Sequence, residues 1–256
     1  MPKKVRRNTQ KKENSKSKSI VSTLSTFQVK VCDTPEEAAE LNYTIDRAPR
    51  FYGSIPDGLN LILFPEFLNP DIANRLFELL MQIEYRSDEE SMVTVFGMKH
   101  VIPRKQTAFG VKGASYTFAG ATVGVDDWNA EYDDPIMQEA CEIVRYIASR
   151  LTDKFGQQFN YALINKYPDN KSKIGYHADD EDDLCENPMI LGLSLGQERP
   201  IYFKRDGEKP VKVSLPHNSL VMMGYPTNKN YKHSIPDFKT KMGPRISLTF
   251  RGIMNR

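Results

Sequence analysis

The stretch 245–251 reads RISLTFR, and it alternates strictly between polar and apolar side chains. Its polar residues are Arg245, Ser247, Thr249 and Arg251, and its apolar residues are Ile246, Leu248 and Phe250. Alternate residues of a β-strand point to opposite faces of a sheet, so the pattern predicts a strand with one polar face. Such a strand is commonly half exposed. Two arginines with two hydroxyls between them also suit a dicarboxylate ligand, because guanidinium groups bind carboxylates bidentately.

Further short segments of strand-like composition precede this one, and most are separated by Gly, Pro, Asn or Asp. They are 159–167, 189–195, 201–204, 211–215 and 220–223. Many short strands in the second half of a chain indicate an antiparallel β-core, for which a double-sheet jelly-roll is the natural candidate. Other β-barrels remain compatible with the pattern.

Two helices are predicted ahead of these strands. Asn69, Pro70 and Asp71 are typical of a helix start, and apolar residues then recur at helical spacing from 72 to 83. A second helix is expected from Asp134 toward Gly156, which suits a C-terminal cap. The fold class is therefore mainly β with supporting helices.

The 256 residues are enough for one domain of full size and a tail. Residues 1–18 hold eight basic residues and one acidic residue, so this segment carries +7 of an overall charge of +2 and leaves the remainder at −5. We expect a basic disordered tail at 1–25, an irregular approach segment at 26–58 and a globular domain at 59–256. The tail favours a nucleic-acid partner or a nuclear address.

Several classes of protein are excluded by composition. The three cysteines, at 32, 141 and 185, are too few and too widely spaced for a disulfide framework, which favours a reducing compartment. The N-terminus has no apolar segment of the signal-peptide type, and the chain has no apolar run of transmembrane length. We expect an intracellular protein that makes no membrane contact.

A metal site is indicated by His177 and Asp179, which are two residues apart and project to the same side of extended backbone. His233 or His217 supplies a third ligand in this interpretation. Two histidines and one carboxylate leave coordination positions open, as in non-haem Fe(II) oxygenases. Taken alone, a His-x-Asp pair is a weak signal that often occurs by chance, and it is also typical of a surface turn.

Taken together, these segments resemble the AlkB family of nucleic-acid dealkylating dioxygenases, which use Fe(II), 2-oxoglutarate and O₂. The matching residues are Asn165-Lys166-Tyr167, His177-Ala178-Asp179, His233 and the strand 245–251. The resemblance covers 59–256 and implies a double-stranded β-helix, or jelly-roll, core at 157–256. It implies an N-terminal extension at 59–130 that forms a nucleotide-recognition lid and a helix.

The resemblance also implies roles for individual residues. His177, Asp179 and His233 become the iron ligands, which decides against His217. The 2-oxoglutarate pocket is implied to consist of Asn165, Tyr167, Arg245, Ser247, Thr249 and Arg251. Within it Arg245 pairs with the distal carboxylate, while Arg251 and Asn165 lie nearer the keto-acid end.

A finer match is to AlkB homologue 2, the branch that acts on duplex DNA. It implies that Val95, Phe96 and Gly97 form a finger, with Phe96 filling the gap that a flipped base leaves in the stack. The flipped base would lie between Phe118 and His177, beside Tyr116 and Glu181. The further DNA contacts are implied to be Arg104, Lys105, Gln106, Lys239 and Lys241. This chain has only two lysines at 239–241 where the branch has a basic run, and no clear sliding-clamp-binding peptide.

The sequence thus predicts a nuclear, monomeric DNA repair dioxygenase. It would demethylate 1-methyladenine and 3-methylcytosine in double-stranded DNA and release formaldehyde. The alternatives are an RNA or single-strand demethylase of the same fold, a non-catalytic nucleic-acid-binding module, a protein hydroxylase and a zinc hydrolase.

Overall fold

The computed structural model describes residues 50–52, 58–95 and 97–254. Its helices are α1 (Pro70–Gln82), α2 (Pro135–Phe155) and the short α3 (Tyr225–Asn230). The strands of the N-terminal half are β1 (Arg50–Tyr52), β2 (Leu61–Phe64), β3 (Met92–Val95), β4 (Met98–Val101), β5 (Lys105–Gly110), β6 (Ser115–Phe118), β7 (Ala121–Gly124) and β8 (Asp126–Asp127). Those that follow are β9 (Tyr161–Tyr167), β10 (Ile174–His177), β11 (Ile190–Gly196), β12 (Arg199–Lys204), β13 (Val211–Leu215), β14 (Ser219–Met223), β15 (Lys232–Ile235) and β16 (Arg245–Arg251).

Most strands belong to two sheets. The larger has the order β1-β2-β14-β11-β16-β9-β5-β8, and the smaller has the order β10-β15-β12-β13. All neighbours are antiparallel except β5 and β8. The jelly-roll predicted from the spacing of the strands is confirmed.

Two apolar clusters hold the sheets and helices together. One lies between the large sheet and the helices, and the other lies between the two sheets. On β16 the apolar residues Ile246, Leu248 and Phe250 belong to the helix-side cluster, so the polar residues of this strand point between the sheets. The half-exposed interpretation of β16 is therefore wrong, because both of its faces are covered.

The two long helices begin where the sequence predicts. The side chain of Asn69 accepts a hydrogen bond from the backbone of Asp71 at the start of α1, and Asp134 caps α2 in the same way. Helix α2 ends at Gly156, whose φ of 69° lies in the left-handed region that glycine adopts without steric cost. Both helices pack their apolar stripes on one face of the large sheet.

The structure corrects the expected segment boundaries. Strands β2 and β5 complete the large sheet by pairing with β14 and β9, so the core is not confined to 157–256. Only the hairpins β3–β4 and β6–β7 of the N-terminal extension form separate small sheets. Residues 50–52 of the expected irregular segment form β1, while the basic tail and residues 26–49 lie outside the described residues.

Two further expectations concern thiols and membranes. Cys141 and Cys185 are free thiols, and Cys32 lies outside the described residues. Among the helices that the structure describes, none combines the length and the apolar character needed to cross a bilayer.

Candidate active site

Three side chains with metal-binding atoms meet at the mouth of the space between the sheets. His177 ends β10, Asp179 follows it, and His233 lies on β15 directly opposite His177 in the antiparallel register. One ligand atom from each residue lies within 4.8 Å of the other two. Asp179 and His233 are buried, while His177 is partly exposed. His217 lies elsewhere. Its ring packs edge-on against Phe77, and its Nδ1 accepts a hydrogen bond from the backbone N–H of Gly196.

The electrostatics give these residues the protonation states that a metal requires. Burial lowers the pKa of His233 to about 3 and also lowers the pKa of His177, so both imidazoles are neutral at pH 7. Burial alone would raise the pKa of Asp179, but Arg251 and the two imidazoles outweigh it and lower that pKa to about 2. Two neutral imidazoles and one carboxylate are the donor set that suits Fe(II) in oxygenases, so these residues fit the ion.

Asp179 is held rigidly on both its side chain and its backbone. Arg251 Nη2 donates to Asp179 Oδ2 at 3.0 Å, and both side chains are almost fully buried. The amide of Asn228, on α3, accepts from the backbone N–H of Asp179 at 2.9 Å and donates to its carbonyl oxygen. A ligand oriented by a fixed partner in this way keeps its geometry when the metal enters or leaves.

Behind the triad, a cavity of about 640 Å³ extends between the sheets to Arg245. This arginine is 1% exposed, and its Nη2 donates to Ser194 Oγ at 2.8 Å and to Ser247 Oγ at 3.3 Å. Its Nε and Nη1 are buried without a hydrogen-bond partner in the described residues. Burial lowers its pKa to about 10, which leaves it charged at neutral pH. A buried cation with unused donors fits a carboxylate, because its charge would then be compensated and its N–H groups would gain an acceptor.

The remaining residues of the expected 2-oxoglutarate pocket also line this cavity. They are Asn165, Tyr167, Ser247, Thr249 and Arg251. The Asn165 Oδ1 atom accepts from Arg104 Nε at 2.9 Å and from Gln106 Nε2 at 3.1 Å. The orientation of the Asn165 amide is therefore set by two side chains of the N-terminal extension.

The mouth of the cavity carries the residues expected to hold a base. Tyr116 and Phe118 lie on β6 with ring centroids 5.7 Å apart, and the Tyr116 hydroxyl donates to the Glu181 carboxylate. Burial raises the pKa of Glu181. The carboxylate of Asp183 accepts a hydrogen bond from the backbone N–H of Thr117 at 2.8 Å, and this bond connects the loop after His177 to β6.

The residues expected to contact DNA lie in different parts of the structure. Val95 and Gly97 flank the tip of the β3–β4 hairpin, and Phe96 lies outside the described residues. Gly97 has a φ of 77°, as the tight turn requires. This hairpin is unusually apolar for an exposed element, since Met98 is 62% and Val101 is 44% exposed. Its side chains Val93, His100 and Val101 line the cavity mouth.

The basic and amide residues are more varied. Arg104 is buried in the cavity wall, and Gln106 is buried against Asn165 away from the cavity lining. Lys105 forms a surface ion pair with Asp88 at 2.6 Å. Lys239 and Lys241 are exposed on the loop between β15 and β16. DNA contact by these residues stays a prediction.

Sequence reasoning gave no role to three residues of this site, namely Ser194, Asp183 and Asn228, although Pro226-Thr227-Asn228 is among the segments that resemble the AlkB homologue 2 branch. Ser194 interrupts the apolar run of β11, and a lone polar residue in a buried strand is a signal that it has a partner. Asn228 and Asp183 gave no comparable signal, because their partners are backbone groups far away in sequence.

The chain was compared with protein families, with curated proteins and with solved structures. The model of the 2OG-Fe(II) oxygenase superfamily matches residues 60–251. DNA oxidative demethylase ALKBH2 of Bos taurus is 34% identical over 230 residues, which are 86% of this chain and 78% of the relative. The Homo sapiens ALKBH2 is 36% identical over 192 residues, which are 71% of this chain and 69% of that protein.

A solved structure of a 2OG-Fe(II) oxygenase family oxidoreductase from Burkholderia pseudomallei superposes with a TM-score of 0.51. It is 13% identical and covers 81% of this chain and 97% of its own, which establishes similarity of fold.

Proposed function

The chain belongs to the AlkB family of 2OG-Fe(II) oxygenases, and from that premise we propose that it is a DNA oxidative demethylase that repairs N-methylated bases in duplex DNA. As a member of this family it is a dioxygenase that uses Fe(II), 2-oxoglutarate and O₂. The expected substrates are 1-methyladenine and 3-methylcytosine. The observation that carries the proposal is a His-Asp-His triad and the buried Arg245 in the lining of one cavity, where two guanidinium nitrogens of Arg245 have no partner among the described residues.

His177, Asp179 and His233 would hold the iron, and the pocket behind them would hold 2-oxoglutarate. When bound, these groups and O₂ supply an oxidant that hydroxylates the N-methyl group, which leaves as formaldehyde while 2-oxoglutarate becomes succinate and CO₂. Arg245 would pair with the distal carboxylate, and its unused donors are available for that contact. Asn165, fixed by Arg104 and Gln106, would orient the keto-acid end.

The protein side of the reaction is positioning and charge. Phe118 and His177 would stack on the two faces of the base, and this arrangement would leave the methyl group directed at the metal. Glu181 lies beside Tyr116 at the same mouth. A carboxylate there favours a base that methylation has made cationic over the neutral, repaired base, so it would help release the product.

Base flipping is supported by the exposed apolar hairpin at the mouth of the cavity. Extrusion of a base costs a few kcal/mol of stacking, and an apolar wedge recovers part of that cost. Phe96, which follows Val95 in the sequence, would be this wedge, and Arg104, Lys105 and Gln106 are the further expected DNA contacts. Lys239 and Lys241 would contact the complementary strand, and the basic tail would add phosphate contacts.

The test compares formaldehyde release from methylated duplex DNA, single-stranded DNA and RNA, with Fe(II) and 2-oxoglutarate supplied. Asp179→Ala is expected to abolish turnover on every substrate, while Asp180→Ala, which alters an exposed neighbour, is the matched control. Phe96→Ala is expected to lower the rate on duplex about tenfold or more and on single strands much less, since stacking on an aromatic is worth about 1–3 kcal/mol per base.

Full, iron-dependent turnover by Asp179→Ala would refute the ligand set. Equal losses on duplex and single strands in Phe96→Ala would refute the wedge. A wild-type preference for RNA would favour the single-strand alternative, with which the reduced basic run at 239–241 is also compatible.

A further inference from the structure

Arg199 is a buried cation for which the proposed chemistry has given no role. It begins β12 in the small sheet and is 0% exposed. Its Nη1 donates to the carbonyl oxygen of Ser172 at 3.0 Å, and its Nη2 donates to the carbonyl oxygen of Asp169. Its Nε is buried without a hydrogen-bond partner in the parts of the chain that the structure describes. Both acceptors are neutral carbonyl oxygens. Burial lowers the pKa of Arg199 and outweighs the carboxylate of Asp169, which is near enough to raise that pKa, so the charge is only partly compensated.

Arg199 and Arg245 contact the same aromatic ring. The Cζ atom of Arg199 lies 5.5 Å from the centroid of the Tyr167 ring, and the Cζ atom of Arg245 lies 5.2 Å from it. Neither arginine has a carboxylate within salt-bridge distance among the described residues. Two buried guanidinium groups around one ring repel each other, since burial and Arg199 both lower the pKa of Arg245, and a carboxylate that binds Arg245 would reduce this repulsion.

A purely structural role does not require this charge. The two carbonyl oxygens could be satisfied by a neutral amide donor, and a buried cation costs several kcal/mol of desolvation unless something compensates it. The ring of Tyr167 lines the cavity next to Arg245, whereas Arg199 is absent from the cavity lining. Arg199 therefore reaches the pocket only through the ring and through its electrostatic potential.

We infer that Arg199 is a second cation of the 2-oxoglutarate pocket, a positioning residue that strengthens binding of the distal carboxylate through Tyr167 without touching the ligand. This inference rests on the proposed function, because it takes Arg245 as the group that pairs with that carboxylate. The cation–π contact with Arg199 also restricts the orientation of the Tyr167 ring in the cavity lining.

The test is an equilibrium titration of the full-length protein, loaded with Mn(II) and kept anaerobic, by calorimetry. Two ligands are compared: 2-oxoglutarate, and oxalate, which lacks the distal carboxylate. Arg199→Gln is expected to raise the Kd for 2-oxoglutarate about tenfold, equivalent to about 1.4 kcal/mol, and to change the Kd for oxalate less than about twofold. Arg199→Lys retains the charge and is expected to stay within about threefold of the wild type for both ligands.

Unchanged 2-oxoglutarate affinity in a folded Arg199→Gln protein would overturn the inference. An equal loss of affinity for 2-oxoglutarate and for oxalate would also overturn it, because such a loss indicates a general disturbance of the site. If Arg199→Gln does not fold, Arg199→Met gives the same comparison, because apolar replacement of a buried ion is often tolerated. Arg245→Gln tests the proposed pocket separately from the role of Arg199. If Arg245→Gln binds 2-oxoglutarate as tightly as the wild type, the proposed pocket is refuted. If Arg245→Gln weakens 2-oxoglutarate binding and Arg199→Gln does not, only the role of Arg199 is refuted.

Discussion

Replacement of Arg251 by methionine is expected to destabilise the metal-free protein by about 3–5 kcal/mol at pH 7.5, the usual cost of removing one partner of a buried ion pair. Arg251 Nη2 and Asp179 Oδ2 are 3.0 Å apart, and their side chains are 4% and 3% exposed. The variant would leave the Asp179 carboxylate buried beside two neutral imidazoles. The pKa of Asp179 in the wild type is about 2 against an ordinary 3.8, so linkage alone accounts for about 2 kcal/mol of the loss.

The loss should depend on pH in a defined direction. In the wild type the folded pKa of Asp179 lies below the unfolded value, so its stabilising contribution is present above about pH 4 and is lost as the pH falls toward 2. In the variant, burial remains while the charge and the hydrogen bond of Arg251 are lost, so we expect that pKa to rise above the unfolded value. The resulting penalty is then largest at neutral pH and is relieved as the pH falls and the carboxyl group takes up a proton. The wild type and the variant should therefore differ less at pH 4.5 than at pH 7.5.

The assay is urea unfolding in the presence of a chelator at both pH values, with Asp179→Asn and the double variant completing a cycle. The double variant should lower the free energy of unfolding by much less than the sum of the two single variants. The reason is that it contains neither an unpaired Asp179 carboxylate nor an unpaired Arg251 guanidinium group. The exposed pair of Lys173 and Asp237, 2.8 Å apart and 49% and 47% exposed, is the control, and Lys173→Met should cost under about 1 kcal/mol. A loss for Arg251→Met below about 1 kcal/mol, or one that is the same at both pH values, would refute this reasoning.

Two further variants probe the cavity and its supports. Ser194→Ala removes the 2.8 Å contact to Arg245 Nη2 and is expected to raise the KM for 2-oxoglutarate about threefold to tenfold with little change in stability; an unchanged KM would show that the hydroxyl does not orient the guanidinium. Gly196→Ala is expected to cost about 2–4 kcal/mol in urea unfolding, because φ is +84° and the new Cβ would lie 2.5 Å from the Phe77 ring. Gly113→Ala, at φ +85° in open space, isolates the backbone part and should cost about 1 kcal/mol, so equal losses for the two glycines would contradict the steric clash.

The sequence predicted correctly those features that depend on residues close together in the chain, such as helix starts and the alternation of a strand. Asn69 and Asp134 cap their helices as predicted, since an N-cap depends on a contact two residues away. The alternation of residues 245–251 fixed which side chains of β16 share a face, because the period of a strand is independent of its neighbours. What alternation could not reveal was that both faces are buried, since that depends on a second sheet lying over the first.

The residues by themselves predicted a metal site and left its third ligand open between His217 and His233; the family resemblance, another reading of sequence, favoured His233. Tertiary structure decides the spatial arrangement, because the register of β10 against β15 places His233 opposite His177, while His217 packs near Phe77. The carboxylate and the arginine that pairs with it are 72 positions apart, and no local preference encodes such a contact. The sequence determined which chemical groups the chain carries and how they repeat along each element. Only the pairing of strands distant in sequence decided which of those groups share one cavity, because that choice depends on the packing of the whole molecule.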